Sequence, residues 1–76
     1  MNMDLKKLHM NDYRWEIFLA QEHYEGFKFT GAKVEDGKYY ITFTNGDKVI
    51  SEPGRRYENS VLNGLNSIDK YLKSNN

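Results

Sequence analysis

Cysteine is absent from all 76 residues, which removes a disulfide framework and thiolate chemistry together. Proline occurs once, at Pro53, so little in the chain bars helix or sheet on covalent grounds. No apolar run approaches a membrane span or a signal-peptide core, and the chain therefore reads as cytoplasmic with no membrane partner. No GxGxxG or GxxxxGK[ST] pattern occurs, so no phosphate-cradling loop of known type is present. Histidine is sparse. His9 and His23 stand nearly four helical turns apart, too far for one ion, and neither a metal nor a cofactor is expected.

Net charge is missing as well. Eleven basic residues balance eleven acidic ones, and obligate polyanion binders usually carry a clear positive excess. The balance is slightly uneven along the chain. Lys6, Lys7 and Arg14 face Asp4, Asp12, Glu16, Glu22 and Glu25 in the first third, and the remainder is mildly basic.

Aromatic residues are plentiful. Six tyrosines, four phenylalanines and one tryptophan give the largest burial per residue that side chains offer. The length suits one small domain spanning 1–76, near the lower edge of independent folding. A second copy would add buried surface, so a homodimer is expected.

Residues 4–24 read as helix. Leu5, Leu8, Trp15, Phe18 and Leu19 fall near one face, with Gly26 placed to stop it. Asn11 and Asp12 are good N-caps and mark an alternative start. Tyr13, Trp15, Ile17 and Leu19 also alternate as a strand would; the helix formers around them favour helix.

The clearest pattern lies over 27–51. Asp36-Gly37 and Asn45-Gly46 each separate β-rich runs and suit tight hairpin turns. With those tips, Val34 faces Tyr39, Ala32 faces Ile41, Phe43 faces Lys48 and Ile41 faces Ile50. Val34, Ala32, Tyr39, Ile41, Phe43 and Ile50 then share one side. A bulge at Thr30-Gly31 is needed to bring Phe27 and Phe29 to that side. Lys33, Tyr40, Thr42, Val49 and Ser51 form the other face.

Ser51-Glu52-Pro53-Gly54 reads as a turn. Asn59 or Ser60 then caps a helix running to about Ser74, with Val61, Leu62, Leu65, Ile68 and Leu72 as its apolar stripe. Ser74, Asn75 and Asn76 are expected to fray. Gly64 within that helix suggests a close approach, to Trp15 or to a second subunit. The fold class is α+β: a three-stranded antiparallel meander flanked by an N-terminal and a C-terminal helix, α-β-β-β-α, with both helices on one sheet face.

No constellation of nucleophile, base and orienting group emerges, and a domain this small rarely spares core volume for a water-excluding pocket. The expectation is a protein-binding module rather than an enzyme, with contacts at Tyr40, Arg55, Arg56 and Tyr57. The third strand, with Val49 and Ile50, offers a dimer edge. Lysine far outnumbers arginine, and Asn and Tyr are frequent, as in AT-rich genomes. A small phage or mobile-element protein that binds and inhibits a host protein fits these facts. The alternative is a nucleic-acid-binding protein using Lys28, Lys33, Lys38 and Lys48 on or near the sheet, the Arg55-Arg56 loop, and Tyr40 as a stacking platform.

Overall fold

The computed structural model describes residues 4–74; Asn75 and Asn76, where fraying is expected, lie outside them. A short 3-10 turn, Leu5–Lys7, precedes helix α1, Tyr13–Gln21. Strands β1 (Lys28–Glu35), β2 (Lys38–Asn45) and β3 (Lys48–Gly54) follow, and helix α2 (Tyr57–Ser74) closes the chain. The strands form an antiparallel meander in the order β1-β2-β3.

The first hairpin has the expected register. Val34 opposes Tyr39 and Ala32 opposes Ile41 across a tip at Asp36-Gly37, whose φ values are +51° and +75°. Positive φ at both central residues matches the right-handed twist of the strands on either side. The register shifts between Phe29 and Gly31, so the expected bulge is present and Phe29 opposes Phe43.

The second hairpin turns one residue later than its Asn45-Gly46 pair suggests. Asn45 pairs with Lys48, leaving Gly46-Asp47 as the tip. Gly46 takes φ +59° at the first central position, while Asn45 stays in the strand. Ile41 therefore opposes Glu52 rather than Ile50, and Phe43 opposes Ile50 rather than Lys48. Moving the tip by one residue shifts each partner by two, so every side chain keeps its face. The shift places two buried apolar residues, Phe43 and Ile50, directly opposite each other.

Helix α1 is shorter than the periodicity implies. Asp12 is the N-cap, with its Oδ1 accepting from the Arg14 amide at 2.9 Å, so the break at Asn11-Asp12 is real and 13–19 are helical. Glu22, in the left-handed region at φ +59°, ends the helix ahead of Gly26. Gly26 instead lies in a tight turn closed by reciprocal 2.9 Å backbone bonds between Tyr24 and Phe27.

Residues 51–54 continue β3 instead of turning. Pro53 is tolerated there because β3 is an outer strand, and its carbonyl accepts from Asn63 Nδ2 at 2.9 Å. Gly54 is required by packing: a Cβ at that position would run into the backbone of Asn59 and Ser60. Helix α2 accordingly begins at Tyr57, earlier than a cap at Asn59 or Ser60 would allow. The Ser60 amide bonds to the Arg56 carbonyl at 3.1 Å, and its side chain turns into the sheet.

The core lies between the sheet and the helices. Helix α2 packs on β2 and β3 and buries Val61, Leu65 and Ile68. Gly64 makes the close approach its position suggests, but to the Phe43 ring. Helix α1 enters through Trp15, stacked on Phe18 at 5.3 Å, and Phe18 meets Phe43 edge-on at 5.7 Å. Phe43 shares its face with Ile41 and Ile50, so both helices cover the same side of the meander. Val34 shares that face yet stays 43% exposed. No described helix is long and apolar enough to cross a membrane.

Candidate functional site

The opposite face of the meander is left open. Lys33 on β1, Tyr40 on β2 and Pro53 on β3 stand side by side across it. Lys33 Nζ lies 5.4 Å from the Tyr40 ring centroid and 2.9 Å from Glu35. Its hydrogen bond to Glu35 raises the ammonium pKa above the ordinary lysine value. Thr30 and Thr44 share a 2.8 Å hydroxyl hydrogen bond, and Thr42 donates to Ser51 at 3.2 Å. Short side chains thus make a flat floor, with Tyr40 as its one ring and Val49 57% exposed.

This face runs into a corner depression of about 340 Å³ beside the first turns of α2. Lys38, Pro53, Gly54, Arg55, Asn59 and Asn63 line it. Pro53 belongs to both surfaces, opposite Tyr40 on the sheet and in the wall of the depression. Tyr40 and Arg55 are therefore brought onto one continuous surface.

Tyr57 is not part of it. Its ring packs 4.3 Å from that of Tyr39, and Tyr39 and Tyr40, as strand neighbours, point to opposite faces. Arg56 is exposed at the start of α2. Ile50 is 6% exposed and belongs to the core, so of the two residues on the third strand only Val49 offers a side chain to a neighbour.

A second polar cluster was not legible in the sequence. Arg14, 8% exposed, grips Asp12 with two bonds of 2.9 and 2.7 Å and reaches Asp69 with Nη1 at 2.8 Å. Tyr24 donates its hydroxyl to Asp69 at 2.6 Å. The hydrogen bonds from Arg14 hold the Asp12 carboxyl below its usual pKa. Asp12 first, then Asp69, raises the Arg14 pKa against the opposing effect of burial. Burial, reinforced by Asp69, raises that of the Tyr24 phenol. The cluster ties α1 and the turn before β1 to the middle of α2. Asp12 two residues before Arg14 was the only local signal; Asp69 joins from 55 residues away.

His9, Asp12 and Glu58 line another depression, of about 300 Å³. Both Asp12 carboxylate oxygens are already engaged by Arg14. Among the described residues no group of three His, Cys, Asp or Glu side chains is placed to hold a metal ion. Comparison with protein-family models, curated proteins and solved structures finds no match for this chain.

Proposed function

We propose that the chain is a non-enzymatic protein-binding module whose contact surface is the open face of the meander, centred on Tyr40 and continuing over Pro53 to Arg55. The observation that carries this reading is that both helices cover one side of the sheet and leave the other uncovered. A flat floor of hydroxyls with one tyrosine and a basic margin suits a protein surface, where Tyr and Arg are the preferred anchors. Nucleic-acid sheets stack two or three bases on several aromatic rings, and this face offers one. A small phage or mobile-element inhibitor of a host protein remains the setting that fits the length and composition.

Affinity capture with mass spectrometry tests the proposal. The native chain and a Tyr40→Ala variant are passed over a low-GC bacterial lysate. A partner retained by the native chain and lost by the variant supports the reading. Identical partner sets for both, or no specific partner for either, sink it. Light scattering on the same samples reads whether β3 pairs with a second copy.

A further inference from the structure

We infer that the corner depression between β3 and α2 receives a carboxylate from an acidic segment of the protein partner, an inference that rests on the protein-binding reading above. Two cations, Lys38 and Arg55, line the depression together with the side-chain amides of Asn59 and Asn63, and among the described residues no acidic one does. Three cations are paired within the chain: Lys6 with Glu22, Arg14 with Asp12 and Asp69, and Lys33 with Glu35. Among the described residues, neither Lys38 nor Arg55 has an acidic group within ion-pair distance. The chain carries as many acids as bases, so this local excess comes from placement and not from composition.

The lining chemistry favours an oxyanion. A guanidinium offers paired N–H donors that match the two oxygens of a carboxylate, and an ammonium adds a mobile point charge. Asn63 is oriented by its bond to the Pro53 carbonyl, which steadies one wall. Overall neutrality also denies the chain the long-range field that gathers polyanions, so the attraction acts only at contact. A carboxylate on a protein meets these conditions better than the backbone of a nucleic acid.

The test is an NMR titration of the ¹⁵N-labelled full chain. The probes are a short alternating Glu-Gly peptide, its Gln-Gly counterpart, inorganic phosphate and a single-stranded oligonucleotide. The Glu peptide is expected to give saturable shifts at the Arg55 Nε–H and the Asn59 side-chain amide. The Gln peptide is expected to give none. Lys38→Ala and Arg55→Ala should each weaken the Glu peptide about tenfold, as loss of one charge-assisted hydrogen bond does, with the remaining spectrum unchanged. Absence of saturable shifts, equal response to the Gln peptide, or stronger binding of phosphate or oligonucleotide at the same groups overturns the inference. If the titration fails while Tyr40→Ala still abolishes capture, the carboxylate site falls and the protein-binding reading stands. If the peptide binds as expected while capture ignores Tyr40→Ala, the Tyr40-centred contact surface falls and the carboxylate site stands.

Discussion

The Ser60 hydroxyl accepts the backbone amide of Ile41 at 2.7 Å, across the interface between α2 and the sheet. The same hydroxyl donates to the carbonyl of Glu52, the residue opposite Ile41 on β3. One fully buried helix side chain thus bridges paired residues of two strands. Ser60→Ala takes this hydrogen-bonding partner from an amide and a carbonyl at the interface between helix and sheet. Each unsatisfied group costs about 1–3 kcal/mol, so the variant should lose about 2–5 kcal/mol in urea denaturation. A loss under about 0.5 kcal/mol would show that water or a re-formed ladder bond replaces the hydroxyl.

Gly54 and Gly64 should respond differently to alanine. At Gly54 the added methyl meets the backbone of Asn59 and Ser60, which cannot yield without lifting α2 from β3. Gly54→Ala is expected to cost more than about 3 kcal/mol or to prevent folding. At Gly64 the methyl comes within 2.9 Å of the Phe43 ring, and the overpacking is partly offset by about 1 kcal/mol of helix propensity. Thermal melting of both variants checks the order; a milder effect at Gly54 would contradict it.

The Arg14 cluster predicts acid sensitivity. Asp12 has a folded-state pKa held below its unfolded value, chiefly by Arg14. Its contribution to stability is therefore complete above the unfolded carboxylate pKa of about 3.9 and is lost as pH falls through the folded value. Asp12→Asn should lower stability at neutral pH and flatten the decline below pH of about 4. Melting temperatures across that range, native against variant, provide the measurement.

Tyr24 predicts the opposite limb. Burial and Asp69 hold its phenol above the ordinary tyrosine pKa of 10.0, so the contribution is present below that value. It is lost as pH rises from there toward the folded value. Tyr24→Phe should remove this alkaline component while losing the hydrogen bond to Asp69. A parallel decline in native and variant above pH of about 10 would assign the alkaline limb to other groups.

The open face should tolerate change without loss of fold. Val49 is exposed on an outer strand, so Val49→Lys is expected to shift stability by less than about 0.5 kcal/mol. A larger destabilisation would mean that Val49 is covered, for example by a second copy, and the shift would then depend on protein concentration.

The legible parts of this molecule were local. Asp36-Gly37 fixed the first hairpin because left-handed φ at both central positions is inexpensive only for a few residue types. Asp12 marked the start of α1 because a short carboxylate there caps the first turn. Phe29 could reach the core only through a bulge, and the bulge is where the alternation breaks. The misread parts were those where a residue's local preference was overruled from a distance. Pro53-Gly54 has turn chemistry, yet Gly54 serves the approach of α2 and Pro53 sits harmlessly on an outer strand. Ser60 resembles a cap, yet its hydroxyl is drawn into the sheet.

The candidate site divides in the same way. Tyr40 could be assigned to the open face from strand alternation alone, because side-chain direction follows a period of two. That Arg55 adjoins it and Tyr57 does not depends on where α2 lands, which no spacing encodes. By itself the sequence determined the order of the main helices and strands, the strand faces and the neutral, thiol-free composition, since these follow from backbone preference and side-chain chemistry. Only the tertiary structure decided the second hairpin's partners, the Arg14–Asp69 clasp and the cation-lined corner, because each joins residues through shared burial or space rather than through the chain.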